Sequence, residues 1–497
     1  MTMNLPQMGT AAQFGALRDF LAGAGYTERG ICARLGLESE EKLDLVALSE
    51  DFVERVAAPE PLNTTIRLFL LGEYVRLAEA ETEFSARSWA AMNALGLIEE
   101  DSKDSSKCFS SVALYPLGDL FIVSDRWSNP DHTPKQSFPE IVYPALTKST
   151  REFLRFLPQG PCGHFLELCG GSGIAALTAS RNALHAWSSD ITERSTRFAE
   201  FNAALNGVSN VSAVEGDLFS AVKGRTFDRI AAHPPYMPVL RPAEVYYDGG
   251  EDGEQITRRI LEGLQQHLNP GGRLYCRTLG TDRKETRFEQ RLRSWLGTAE
   301  SEFDIALFIS KNLDPVRFAM DSAVRRAAGQ AEVTEWGALF ERLQVKEIVT
   351  GTLVVQRRET KRRVFTVRRS LAPKANSCDT EKVLQWETEM ADERRAGKVF
   401  SATPTASPRA ELLVRHRLEG SEFSAQDFTL TNDYPFLMDC KVQPWMGHLV
   451  ARCDGTRTVQ RLYEECREAG WILMDTPPGE FAQVVGQLIS GGFLNVD

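Results

Sequence analysis

No uninterrupted apolar run in this 497-residue sequence approaches the roughly 20 residues that a membrane span needs, so no transmembrane helix is expected. The opening MTMNLPQMGTAAQFGALRDF lacks the basic stretch and following apolar stretch of a secretory signal, and a cytoplasmic protein is expected. Cysteine occurs at 32, 108, 162, 169, 276, 378, 440, 453 and 466, with no CxxC pair and no histidine cluster beside it. That scatter argues against a zinc site and against a disulfide framework, and no metal is expected. Positive charge is in deficit: 57 Lys and Arg against 68 Asp and Glu give a net charge of −11. Such a balance disfavours broad adhesion to nucleic acid or to anionic membranes. The local exception is RRETKRRVFTVRR, Arg357 to Arg369, which reads either as a basic patch or as a solvated strand with its flanking turn.

The composition, 42% hydrophobic and 25% charged, is that of a soluble globular protein, and the length suggests two to four domains at about 100 to 200 residues each. From Ala11 to about Asp101 apolar residues recur at helical spacing, in FGALRDFLAGAGY, EKLDLVALSEDFVERVA and PLNTTIRLFLLGEYV. A helix ending at a glycine then leads into a hairpin around Pro116-Leu117-Gly118, so residues 1–127 read as a small winged-helix-like domain. Such a domain either recognises a macromolecular substrate or serves as a cover or dimer arm. After the low-periodicity stretch 128–140 and a covering helix in IVYPALTKSTREFLRFLP, apolar strands alternate with amphipathic helices from Gly163 to Glu359. That alternation specifies an α/β, Rossmann-like parallel sheet covered on both faces, with a helical insertion near Pro315 to Leu343 and an antiparallel edge. The expected domain spans 138–369. Residues 370–410, rich in Ser, Thr, Ala and Pro around one charged helical stretch, read as a linker. Residues 411–497, with three helical patterns and a glycine-marked exit, read as a second winged-helix-like domain.

The chemistry concentrates at the ends of the strands. FLELCGGSGIAAL, Phe165 to Leu177, is a buried strand, a glycine-rich turn and a helix. Gly170, Gly171 and Gly173 let the backbone approach a ligand where a Cβ would collide, and the helix N-terminus offers free N–H groups. A tight structural turn would look the same. Asp190 ends the second strand, where a carboxylate can accept both ribose hydroxyls. The same geometry serves dinucleotide enzymes. Asp217, after the third strand, can accept the amino group of an adenine. The fourth strand ends in His233-Pro234-Pro235-Tyr236, a step for which a dinucleotide enzyme has no use.

These motifs resemble the class I S-adenosylmethionine-dependent methyltransferases with an Asn-Pro-Pro-Tyr-type motif, especially those that methylate glutamine amides of release factors or amino groups in ribosomal RNA. The likeness includes Tyr247-Asp-Gly-Gly-Glu-Asp-Gly253 and Leu268-Asn-Pro-Gly-Gly272. It implies a seven-stranded fold with S-adenosylmethionine as methyl donor. By resemblance Glu167, Cys169, Gly171 and Gly173 line the methionine side, Asp190 holds the ribose, and Asp217 with Leu218 contacts adenine. The resemblance further implies that the residue at 233 and the Pro234 carbonyl accept the two hydrogens of a target NH₂ while Tyr236 stacks on it. Three residues depart from the pattern: Glu167 is usually Asp, Cys169 usually Gly, and His233 usually Asn or Asp. Donor binding is expected to survive the first two. A neutral imidazole accepts one hydrogen bond and can also take a proton. His233 therefore either acts as a base toward a hydroxyl or a less constrained nitrogen, or preserves one acceptor beside Pro234. At the C-terminus, Cys453-Asp-Gly-Thr-Arg-Thr-Val459 and Ile489-Ser-Gly-Gly-Phe-Leu494 are similar to PqqD-like winged-helix peptide chaperones, and the segment reads either as a holder of a peptide substrate or as a structural cap or dimer arm.

The leading expectation is an enzyme that N-methylates a macromolecule, protein or RNA. A methyltransferase of small-molecule or peptide natural-product biosynthesis is the alternative, and a catalytically silent scaffold the third. A homodimer through a terminal domain fits any of them.

Overall fold

Strands that are apolar throughout and joined by helices must lie parallel, with both faces covered. The computed structural model has this arrangement; it describes residues 5–48, 50–126, 130, 139–325, 329–392 and 397–496. Most of the 128–140 stretch, with the expected domain start at Phe138, lies outside the described residues. The chain divides into two compact units, Met1–Thr278 and Leu279–Asp497.

In the first unit α1 (Ala11–Gly23) and α2 (Glu28–Leu35) precede a hairpin of β1 (Val112–Leu117) and β2 (Leu120–Asp125). Thr10 and Gln13 close a capping box at the start of α1. Helix α3 (Lys148–Arg155) leads to β3 (Cys162–Leu168), α4 (Ile174–Ala179), β4 (Ala183–Asp190), α5 (Glu193–Leu205) and β5 (Val211–Glu215). Then come β6 (Phe227–Ala232), α6 (Gln255–His267) and β7 (Leu268–Arg283), inside which the unit ends. The order is β7-β6-β3-β4-β5, all parallel. The turn after β3, Asp190, Gly216 and His233 thus share the carboxyl edge of one sheet, where such folds bind ligands.

The hairpin is present. All of β1 and all but Phe121 of β2 are buried. The open edge of β2 is satisfied by side chains of α5: Asn202 accepts from Val123 N–H (2.8 Å) and donates to its carbonyl (3.0 Å), and Asn206 does the same for Phe121 at 2.9 and 2.7 Å. Buried backbone groups must be paired, and two asparagines one helical turn apart match the spacing of alternate strand residues. One hydrophobic cluster runs from Phe14 and Leu17 through Leu114 to Leu177, Phe198 and Phe201. Each such side chain contributes about 1.5–3 kcal/mol on burial. The described residues between 5 and 126 therefore share a core with the sheet's helices.

In the second unit β8 (Phe303–Leu313) and β9 (Val345–Arg357) pair antiparallel around the expected helical insertion, α7 (Pro315–Arg325) and α8 (Gln330–Arg342). Strand β10 (Thr366–Ser370) adds parallel to β8, one strand beyond the seven expected. Three arginines of the basic stretch are held by ion pairs: Arg357 with Glu302 at 2.8 Å, Arg362 with the fully buried Asp304, and Arg368 with Asp282 and Glu289 at 2.9 Å each. Lys361 and Arg363 of the same stretch are exposed. The expected linker also folds. Helix α9 (Ser377–Met390) buries Val383, Leu384 and Trp386, whose indole donates to the Gly486 carbonyl at 3.0 Å. Strands β11 (Ala410–Glu419), β12 (Glu422–Asn432) and β13 (Met438–Val442) form an antiparallel sheet. They are followed by α10 (Pro444–Arg452), α11 (Val459–Glu468), α12 (Pro478–Ser490) and β14 (Leu494–Asn495). Trp386 and Val399 belong to the core of these helices, so this layer begins well before residue 411.

Candidate active site

The glycine-rich turn occupies the gap between β3 and α4. Gly173, at φ +77°, stands where a Cβ would lie 2.9 Å from that of Ala199. Because Gly173 has no side chain to cap α4, the cap comes from below: buried Glu167 accepts from Ala175 and Ala176 N–H, at 2.9 Å each. Burial pushes its carboxyl up to about 7 against those hydrogen bonds. Glu167 therefore holds the helix that forms the turn; both its oxygens face that helix. Cys169 sits at φ +55°, the left-handed region that favours glycine, and burial pushes its thiol well above the ordinary value. A glycine at this position would have a backbone reason.

Asp190 accepts Gly171 N–H on one oxygen (2.9 Å) and Thr192 N–H on the other (3.1 Å). It is only partly buried, and the oxygen facing Gly171 keeps a lone pair. Asn202, having satisfied β2, also donates to the Ser172 carbonyl at 2.9 Å. One buried amide thus ties the turn to the hairpin. Asp217 is exposed and paired with Arg259 at 2.7 Å. Leu218 takes a left-handed φ of +51°, its carbonyl accepting from Ser189 Oγ at 3.1 Å. Gly170 lies beneath the turn, where a Cβ would meet Ser188 Oγ at 2.1 Å; around a Cβ on Gly171, nothing lies within 4 Å. The turn thus presents an open face, a free acceptor on Asp190 and no bulky side chain on Gly171.

At the end of β6, His233 and Tyr236 lie with rings nearly parallel, 11° apart, centroids 5.7 Å apart. Between them is Ser149 of α3, whose Oγ is 3.2 Å from His233 Nε2 and 2.9 Å from the Tyr236 hydroxyl. Phe153, one turn further along α3, packs on the imidazole at 5.2 Å. Burial, then the nearby Arg277 guanidinium, hold the imidazole pKa down at about 3. Arg277 itself is paired with Glu152 at 2.9 Å. His233 is accordingly neutral across the physiological range and a weak base. Pro234 is buried, and Pro235 leads into Tyr236, whose backbone is closely backed by Gly249: a Cβ there would lie 2.8 Å from the Tyr236 Cα. Gly249 N–H bonds Met237 O (2.9 Å) and Val239 N–H bonds Gly250 O (3.0 Å), which locks the Asp-Gly-Gly stretch beside the His-Pro-Pro-Tyr step. Tyr143 and Tyr246 stack at 4.8 Å.

The fold assembles Gly171, Cys169 and Asp190 at one turn, and His233, Pro234, Pro235 and Tyr236 at the next strand end. Ser149 was missed: it lies 84 residues from His233, in a segment whose periodicity only signals a helix. Asn202 was missed likewise, because nothing local marks which face of α5 meets β2.

Residues 143–301 match the methyltransferase small domain family. The chain is 34% identical over 123 residues to a release factor glutamine methyltransferase of Thermodesulfovibrio yellowstonii, covering 22% of this chain and 44% of that one. It is 31% identical over 163 residues to a ribosomal protein uL3 glutamine methyltransferase of Bradyrhizobium diazoefficiens, covering 30% and 51%. The chain spans about half the length of these curated relatives.

Proposed function

We propose, from the match of residues 143–301 to methyltransferase small domains, that this protein transfers a methyl group from S-adenosylmethionine to a side-chain amide nitrogen of a protein. The observation that carries the reading is the His233-Pro234-Pro235-Tyr236 step at the end of β6, with a neutral imidazole in it. The residues present fit the donor. Gly171 leaves open space, Asp190 keeps an acceptor for a ribose hydroxyl, and Asp217 is exposed beyond β5. When bound, the donor supplies an electrophilic methyl group on a sulfonium; the protein's work is alignment and exclusion of water.

His233 offers one acceptor nitrogen and the Pro234 carbonyl a second, enough to hold both hydrogens of an NH₂ with its lone pair aimed at the methyl group. Ser149 anchors the imidazole, and Tyr236 offers its face to the flat amide. The new bond is N–CH₃, the broken bond is S–CH₃, S-adenosylhomocysteine leaves, and one N–H proton passes to solvent. The relatives' names, glutamine methyltransferases of a release factor and of ribosomal protein uL3, support a protein acceptor. The low basicity of His233 leaves a base-assisted attack by a hydroxyl without a strong base. A peptide acceptor of natural-product biosynthesis is the second reading, favoured by the run of three strands and three helices in Ala410–Ser490. Among the described residues no helix is long and apolar enough to cross a membrane, and no group of three or more His, Cys, Asp and Glu could hold a metal. A cytoplasmic location is part of the proposal.

The test is calorimetric titration of S-adenosylmethionine and S-adenosylhomocysteine, with NAD as control, into the parent and into Asp190→Ala. A loss of about tenfold or more in affinity in the variant is expected, worth about 1.4 kcal/mol. Label transfer from methyl-labelled donor to proteins of a cell extract, located on glutamine by peptide mass spectrometry, then identifies the acceptor. Binding of NAD alone, or no binding by folded protein, overturns the reading.

A further inference from the structure

A solvent-facing sheet edge is ordinarily blunted, because its unpaired N–H and C=O groups invite another strand. Strand β11 is the outer strand of the β11-β12-β13 sheet, and from Glu411 to Glu419 every residue is exposed. It contains no proline. Its register with β12 shifts where Arg415 faces Asp427 and His416 faces Ala425, so the extra residue is Gln426 on β12, and β11 itself is uninterrupted. The face carrying Leu412, Val414 and Leu418, with Phe423 opposite Leu418, is apolar yet 41, 37, 57 and 70% exposed. Near its base this face packs on α10, where Leu412 lies against Gly447; toward the hairpin tip it stands clear. The other face alternates Glu411, Leu413, Arg415, Arg417 and Glu419. Arg415 is paired with Asp427 and Glu419 accepts from Gln426. Glu411 and Arg417 make no ion pair or side-chain hydrogen bond among the described residues, although both are charged and lie six residues apart on one face.

We propose that β11 is the pairing edge of a homodimer, two copies meeting antiparallel about a two-fold axis at Val414. Two-fold pairing keeps like faces together, so only registers centred on a residue are available. Centred on Val414, Glu411 stands opposite the partner copy's arginine at 417, and Arg417 opposite its glutamate at 411. On the other face Leu412 meets the partner's histidine at 416, Ala410 its leucine at 418, and the two valines meet on the axis. The neighbouring same-face registers fail. Centring on Leu413 leaves Arg417 opposite position 409, outside the strand, and sets Glu411 opposite Arg415, which Asp427 already holds; centring on Arg415 sets Glu411 against Glu419, and like charges directly opposite are destabilising. The strand is thus complementary to itself in one register. The exposed apolar residues become the continuous face of a six-stranded sheet, and the two unpaired charges find partners. This explains an apolar edge that a monomer would have reason to protect.

The experiment is sedimentation velocity of the full chain across a wide concentration range, on the parent, E411R, R417E, the E411R/R417E double variant, and an equimolar mixture of the two single variants. These side chains are exposed, and circular dichroism checks that each variant remains folded. A concentration-dependent dimer is expected for the parent, weakened about tenfold or more in each single variant and restored in the double variant. The mixture is expected to associate, because one chain then carries only positive and the other only negative charge at these two positions. A monomeric parent overturns the proposal, and so does a dimer indifferent to both single changes. Single variants that stay monomeric when mixed overturn the register. A parent that is monomeric alone but binds an extended acidic peptide would reassign the edge to a peptide.

Discussion

Asn202 holds three backbone groups at once, two on β2 and one on the glycine-rich turn, and is wholly buried. Replacing it by aspartate keeps the oxygen that accepts from Val123 N–H but removes the NH₂ that donates to the Val123 and Ser172 carbonyls. Each buried group left unsatisfied costs about 1–3 kcal/mol. Protonation of the new carboxyl can restore one donor, so a loss of about 2–5 kcal/mol is expected, read from urea denaturation. The same replacement at Asn206 removes the donor to Phe121 and to the Asn202 carbonyl without touching the turn. Both variants lose stability, but only Asn202→Asp is expected to weaken S-adenosylhomocysteine binding, by about tenfold, because only there is Ser172 released. Calorimetry under conditions where both variants are folded gives the comparison. Equal donor affinity in the two variants would refute the coupling of hairpin to turn and leave Asn202 with a purely structural part.

Ser149→Ala is expected to lower turnover about tenfold with donor affinity unchanged, since it frees the imidazole and the Tyr236 hydroxyl but touches no part of the turn; parent-level turnover would remove Ser149 from the site. His233 has a folded pKa near 3 against an ordinary 6.5, so its contribution to stability is complete above pH 6.5 and is lost as pH falls toward 3. In His233→Asn that part of the acid decline, worth about 3 kcal/mol after allowance for partial exposure, should vanish from melting temperatures followed between those limits. At most positions alanine is more stable than glycine; at Cys169, with φ of +55°, the order should reverse by about 1 kcal/mol. Equal stability of Cys169→Gly and Cys169→Ala would mean that the turn relaxes without strain.

Local pattern carried much of this protein. Hydrophobic periodicity separates strand from helix, and alternation of the two requires a parallel sheet, so Asp190 and His233 could be placed at its carboxyl edge from strand order alone. The glycines at 170, 171 and 173 were legible for the same reason: a strand, a turn and a helix within thirteen residues leave few conformations. Long-range packing decided the rest. Glu167 is expected, by resemblance, to line the donor, and the sequence does not show that its two oxygens also accept from Ala175 and Ala176 N–H at the start of α4. The hairpin is legible around Pro116-Leu117-Gly118, but that Asn202 and Asn206 complete its edge is not. Helix α9 looks like a charged linker because only one face of it, Val383, Leu384 and Trp386, is apolar, and its cover lies about a hundred residues away at Gly486. Ser149 has no local mark at all. Backbone periodicity is written residue by residue and can be read from the chain alone, whereas which side chain faces which across the core depends on contacts between distant segments, and those exist only in the folded protein.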